Sequence, residues 1–303
     1  MIFFLAAALF FIHLFWGPAG LDWHIVEAVR LPRALGAMAA GIGLALAGLI
    51  LQTIYRNPLA DPYVFGISGA AMLSSLGMYL LWRLFAMPYV GYFLGSLVGA
   101  FVVSLALLWL ARRATLLVVL LTGVLLAFFT HAAVSITLLF IPPEELGYIY
   151  LSLQGSFAAY PPGALGWAVF TAIAAIGVVA FLTARWISVY IHGEEAAAGL
   201  GVNVRLVNIL AISTASILTG LVVASVGPIG FLGLVAPHVG RWLAGSHRMD
   251  LAIAHTVGAG AALALAADLF IKALPRDVPT TPVLSLVGVP VAIYYLWRHV
   301  RRV

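Results

Sequence analysis

With 303 residues, 64% of them hydrophobic and 8% charged, and a mean hydropathy of +1.13, the chain excludes a soluble domain, because soluble proteins carry a charge at about a quarter of positions. The net charge of +5 comes from basic residues at the ends of apolar runs, not along one face, which argues against a nucleic-acid surface. The absence of cysteine removes disulfides, thiolate metal sites and a cysteine nucleophile.

Apolar runs recur along the whole length, and ten spanning helices fit, at roughly 1–17, 33–54, 64–84, 88–111, 116–140, 163–184, 207–226, 229–243, 251–271 and 282–300. The expected architecture is all-α, one polytopic membrane domain over residues 1–303. The first run has no A-x-A-like cleavage site, so Met1 to Trp16 reads as a retained span. With the N-terminus inside, Arg56, Arg112, Arg113, Arg185, Arg205, Arg241, Arg248, Arg298, Arg301 and Arg302 fall in the cytoplasm, and Arg30, Arg33, Arg83, Lys272 and Arg276 fall outside. That asymmetry predicts a multi-pass protein of the cell membrane with both termini cytoplasmic.

Arg30 and Arg33 flank Pro32 at the start of the second span and project to one side. Two outward arginines flanking a span ordinarily serve as lipid-headgroup anchors. Ala37, Gly41 and Ala45 recur every four residues on this span, as do Ala254, Gly258, Ala262 and Ala266 on the ninth. Small residues at this spacing let helix backbones approach closely in lipid. Gln52, near the inner end of the second span, must face protein or a water-filled path. RNPLADP (Arg56 to Pro62) follows as a tight turn with Asn57 or Asp61 as a cap.

Pro142, Pro143, Pro161 and Pro162 bracket an external segment, Glu144 to Tyr160, too short and polar to span. It predicts a short helix near the outer mouth, with Tyr148 and Tyr150 as interfacial anchors or as part of a gate. His131 in the fifth span either lines the path or bonds a neighbouring carbonyl. No histidine pair has the spacing of a catalytic zinc site.

Trp186 to Asn208, WISVYIHGEEAAAGLGVNVRLVN, is a polar stretch between two apolar spans, carrying Glu194, Glu195, Gly199, Gly201 and Arg205. Burial gives it no reason to exist, and its glycines are expected to break it into two short helices. It reads as a cytoplasmic contact piece for another protein. Further on, Asp268 and Lys272 stand four apart, the spacing of an intrahelical ion pair near the outer surface.

RLPR, LAGLILQ, RNPLADP, GISGA, GEEAAAGLG, GFLGLVAPH, the arginine pair of RWLAGSHR, AD at 267–268 and GVP at 288–290 occur in this order from about residue 23 to the end. Together these blocks resemble the FecCD family of ABC-transporter permeases, the membrane subunits of importers for cobalamin, iron–siderophore chelates and haem, with some molybdate relatives. The resemblance implies a type II ABC importer permease fold and a two-fold pair of copies in the lipid bilayer. Its partners would be two ATP-binding cassette subunits and an extracytoplasmic substrate-binding protein, and no nucleic acid. It implies that Arg30, Arg33 and Lys272 dock carboxylates of the binding protein. The third position is commonly arginine in the family, and Arg276 would share the contact. Glu194, Glu195, Gly199, Gly201 and Arg205 would meet the ATPase. The fifth span, the external segment and the tenth span would line the path, bringing in Gln52, His131, Tyr148 and Tyr150.

The chain itself is expected to be a transport subunit and not an enzyme, with no cofactor or metal of its own. Its one lysine, Lys272, lies between Ile271 and Ala273, so no P-loop is present, and the ATP and magnesium belong to the partner. An oxyanion importer of the same type is the nearest alternative. A gradient-driven transporter is disfavoured because the acidic residues map to loops or span ends. An intramembrane hydrolase built from Ser68, Ser135 and His131 has no motif behind it.

Overall fold

The computed structural model describes residues 1–17, 20–63, 65–85, 91–111, 113–114, 116–189, 193–246, 248–274 and 278–300. Among these the regular elements are helical. They are α1 (Ile2–Phe15), α2 (Trp23–Ile25), a π-helical turn (Val26–Arg30), α3 (Leu31–Ile54), α4 (Ile67–Phe85), α5 (Gly91–Ala111), α6 (Leu116–Leu138), α7 (Pro143–Leu153), a 3-10 turn (Phe157–Ala159), α8 (Gly163–Leu182), α9 (Ala184–Ser188), α10 (Glu194–Gly199), α11 (Val204–Val226), α12 (Leu232–Ala244), α13 (Met249–Ala273) and α14 (Thr280–Val300).

Helix α3 is the axis of the molecule. It has 24 residues, about 36 Å at 1.5 Å per residue. The most apolar window of the Trp23–Ile54 segment is 89% buried, against 22% for the windows in α6 and α8, whose Leu125, Phe128, Phe129, Val178, Val179 and Leu182 face outward. A helix apolar all round belongs in a core. The residues that let it pack there are small. A methyl on Gly41 would fall 2.3 Å from the Gly260 carbonyl of α13, and one on Gly48 would fall 1.9 Å from the Gly233 carbonyl of α12. Arg33 opposite Asp268 and Gly41 opposite Gly260 make α3 and α13 antiparallel neighbours. The Ala37–Gly41–Ala45 stripe therefore faces α13. The α13 stripe read from the sequence turns elsewhere: Gly258 meets Ile2 and Phe3, and Ala262 joins Ala6, so this stripe seats α1.

A helix occupies each of the ten expected ranges, and among the described residues five, Trp23–Ile54, Val118–Leu138, Gly163–Leu182, Val204–Val226 and Met249–Ala273, are long and apolar enough to cross a membrane. The first and eighth ranges hold helices of 14 and 13 residues, α1 and α12, about 21 and 20 Å long beside a hydrocarbon core of about 30 Å. Helix α12 is short because the chain is broken just before it. Gly227 (φ 78°) and Phe231 (φ 68°) turn the backbone between α11 and α12. Irregular backbone at this depth survives only where protein surrounds it; here Gly155 and Thr281 pack against it, and Ser156 N–H donates to Val226 O at 2.8 Å.

Candidate functional site

At the amino end of α3 the predicted docking cations are drawn into the protein. Arg30 closes the π-helical turn and is 4% exposed; its Nη1 donates to Leu14 O at 3.2 Å and its Nη2 to Gly20 O. Arg33 grips the Asp268 carboxylate on both oxygens, Nε at 3.0 and 2.9 Å and Nη2 at 2.8 Å. His13 Nε2 lies 2.5 Å from Asp268 Oδ2, and Lys272 Nζ lies 2.8 Å from His13 Nδ1 and 3.2 Å from His13 O. The structure thus brings Arg30, Arg33 and Lys272 to one end; Arg276 lies outside the described residues. The expected Asp268–Lys272 ion pair does not form. Arg33 offers a planar fork that matches a carboxylate on two atoms, which a single ammonium cannot match, and Lys272 turns to the last turn of α1. There Lys272 and Arg30 satisfy two of the carbonyls that a helix leaves without donors at its carboxyl end.

At the other end of α3, RNPLADP folds as two consecutive Asx turns: Asn57 Oδ1 accepts from Leu59 N–H at 2.9 Å and Asp61 Oδ1 from Tyr63 N–H at 3.1 Å. The Asp61 carboxylate also takes the Phe231 N–H, at the head of α12. A negative group there answers the partial positive charge of the helix end. Burial, opposed by those two backbone donors, pushes the Asp61 carboxyl up to about 6. Burial, then the Asp61 charge, raises the neighbouring Tyr63 hydroxyl.

Gln52 resolves to the protein-facing choice. It is 4% exposed, its amide donates to Gly233 O (3.3 Å) and Leu234 O (3.2 Å), and its carbonyl accepts from Arg241. His238 Nε2 lies 2.9 Å from Pro58 O. LAGLILQ, RNPLADP and GFLGLVAPH, with the first arginine of RWLAGSHR, thus join in one polar knot that binds α12 to the carboxyl end of α3.

The contact stretch lies at this same end. Helix α9 is anchored through buried Ala184 and Ile187, and α10 through Ala197, while Leu200 is 71% exposed and Arg205 is exposed. The sequence leads one to expect Gly199 and Gly201 to divide two short helices, and they do not. Gly199 ends α10, Gly201 (φ 78°) turns the chain, and Asn203 caps α11 by accepting from Leu206 N–H at 3.1 Å. The glycine between the short helices is Gly193 (φ 102°), and the Arg56 guanidinium lies 3.4 Å from where its side chain would begin. Arg56 itself is held at φ 46°, backbone strain of the kind that collects at functional sites. The side chains of Glu194 and Glu195 lie outside the described residues.

The external segment is half helix and half plug. Tyr150 on α7 is 52% exposed, whereas Phe157 and Tyr160 are buried, and Tyr160 donates to Gly166 O at 2.7 Å with its ring against Gly36. The side chain of Tyr148 lies outside the described residues. His131 on α6 sets its ring 5.9 Å from that of Tyr63, linking α6 to the RNPLADP turn. The residues that sequence reasoning missed are His13 and Asp61 as buried polar centres. Each carried one local signal: an ionisable side chain in an apolar run, and an aspartate between prolines.

The FecCD transport family model matches residues 4–298. The hemin transport system permease protein of Yersinia pestis is 34% identical over 292 residues, covering 92% of this chain and 84% of that protein. The ferric enterobactin transport system permease protein of Escherichia coli K12 is 32% identical (92% and 84% covered). The Fe(3+)-citrate import system permease protein of Bacillus subtilis is 31% identical (93% and 86%). A solved inward-facing conformation, assigned as a metal-chelate type ABC transporter, superposes with a TM-score of 0.85 at 28% identity, covering 98% of both chains. These relatives are transport components and not enzymes, and the fold is that of a type II ABC importer permease. The chain belongs to the FecCD transport family.

Proposed function

We propose that the chain is the membrane-spanning subunit of a binding-protein-dependent ABC importer for metal chelates of the haem, siderophore or ferric citrate kind. What carries this reading is the placement of two polar stations at opposite ends of one buried helix. Arg30, Arg33 and Lys272 gather at the amino end of α3; Arg56 and Gly193, at the head of α10, meet at its carboxyl end. Two copies related by a two-fold axis enclose the path, with α6, α7 and α14 along it. The first station meets carboxylates of the binding protein outside, and charge complementarity of this kind sets orientation and encounter rate more than affinity. The second meets the ATPase inside through α10, Leu200 and Arg205. Closure of the ATPase pair on ATP moves the spans as packed bodies.

The test is ATP hydrolysis in liposomes holding the chain, its ATPase and its binding protein. Leu200→Asp and Arg205→Glu alter exposed side chains, so the fold should persist. The expected result is loss of binding-protein-stimulated hydrolysis and of haem or ferric-siderophore uptake. Full stimulation in both variants would overturn the coupling assignment.

A further inference from the structure

Of the residues in α1, only Ala6 and His13 are buried; Phe3, Phe4, Leu5, Phe11, Ile12 and Phe15 face outward. The carboxyl end of this shallow helix is nevertheless fastened by side chains from elsewhere, and among the described residues the hydrogen bonds that fasten it pass through or beside His13. The ring is fully buried. The groups that face it are Asp268 and Lys272 from α13 and Arg33 from α3, with Arg30 on the next carbonyl.

The hydrogen-bond roles are forced. An ammonium only donates and an ionised carboxylate only accepts. Nδ1 of His13 therefore accepts from Lys272, and Nε2 carries the hydrogen given to Asp268. The ring is neutral, in one tautomer, and its two nitrogens have opposite duties. Such a ring responds to a proton at one place only. A proton taken up at Nδ1 removes the acceptor, turns that nitrogen into a donor, and sets an imidazolium against the Lys272 ammonium 2.8 Å away. The Nε2–H to Asp268 contact keeps its sense and gains charge. Asp268 keeps its grip on Arg33. Lys272 has no such hold: besides the ring nitrogen it has the His13 carbonyl, on the same helix end.

We propose that His13 is a proton-operated latch that holds Lys272 inward when neutral and releases it toward an acidic partner when protonated. Histidine is the side chain whose ordinary titration lies nearest the working pH. The partner is the acidic face of the binding protein, and this last step rests on the docking reading above. His13 is in these terms a positioning residue, acting on the partner through Lys272.

Lys272 is the only lysine in the chain, so 13C-lysine labelling places a single ε-methylene signal in the spectrum of the full chain in lipid nanodiscs. The expected result is one signal that moves as the pH is lowered from 6.5 to 4.5, and that stays fixed over the same range in His13→Gln. His13→Asn replaces that variant if glutamine at position 13 prevents folding, since neither amide takes a proton. A wild-type signal that does not move, or a shift that persists in the amide variants, overturns the latch and leaves the docking reading untouched. The docking arm measures binding-protein affinity at pH 7.5 and 5.5. The expected gain at the lower pH is severalfold in wild type and absent in His13→Gln. If the lysine signal moves as described but Lys272→Gln binds the partner as well as wild type, the latch stands and the docking reading falls.

Discussion

Gln52 supplies the hydrogen bond that Pro237 withholds. Within α12, Pro237 has no N–H to give the carbonyl four residues back, that of Gly233, and the Gln52 side-chain amide on α3 donates there instead, at 3.3 Å. A proline inside a helix is a local defect; here it is also the means by which a second helix is recognised. Gln52→Leu leaves Gly233 O without that donor and Arg241 without its amide acceptor. The expected loss is about 1–3 kcal/mol, read as a lower thermal unfolding midpoint in nanodiscs. Pro237→Ala restores a backbone donor, so Gln52→Leu should cost measurably less in the Pro237→Ala background. Strictly additive losses in the double-mutant cycle would refute the pairing.

Asp61 makes the same knot sensitive to pH. Its folded carboxyl sits at about 6, against the ordinary 3.8. Between those values the folded chain holds a proton that the unfolded chain has lost, so stability falls as pH rises from about 4 to 6 and is regained on acidification. The gap between the two values corresponds to roughly 3 kcal/mol at most. Asp61→Asn should flatten the dependence of the unfolding midpoint over this range while keeping an acceptor for Phe231 N–H. A wild-type midpoint that is level between pH 4 and 7 would contradict the assignment.

Close backbone packing along α3 predicts a sharp contrast among glycines. A methyl on Gly41 or Gly48 meets carbonyl oxygen of α13 or α12 at 2.3 and 1.9 Å, whereas one on Gly177 meets only Leu46, at 3.8 Å. Gly41→Ala and Gly48→Ala are expected to abolish or strongly reduce recovery of folded protein from membranes, and Gly177→Ala to leave it at the wild-type level. Equal recovery of all three would mean that α3 does not need these contacts.

Much of this architecture was legible because its signals are local. Apolar runs placed the helices to within a few residues, and two Asx residues among prolines announced the RNPLADP turn. What the sequence could not announce were partnerships across great separations. Arg33 and Asp268 are 235 positions apart, His13 and Asp268 are 255 apart, and Gln52 and Arg241 are 189 apart. Spacing along one helix suggested Asp268 with Lys272, and it failed because a bidentate arginine from another helix competes better for the same carboxylate. The small-residue stripe on α13 does pack closely, as its period implies, but its neighbour was not legible. Its period was right, yet period alone does not say which neighbour, α1 or α3, arrives on that face. The motifs near the two ends of α3 stand as separate blocks along the chain, whereas folding makes them two clusters.

The contact stretch allows a test in which folding and coupling are separated. Gly199 closes α10 with ordinary helical backbone and open space around it, so alanine fits without strain. Replacing glycine by alanine in a helix contributes about 0.5–1 kcal/mol, and Gly199→Ala should unfold at the same temperature as wild type or slightly higher. Gly201 differs: its φ of 78° strains any side chain, so Gly201→Ala should unfold earlier. If α10 meets the ATPase, Gly199→Ala lowers stimulated hydrolysis despite its intact fold, because the methyl occupies space the partner needs. Hydrolysis unchanged in Gly199→Ala, with Leu200→Asp equally silent, would move the ATPase contact away from α10 and toward the exposed Arg56 beside Gly193.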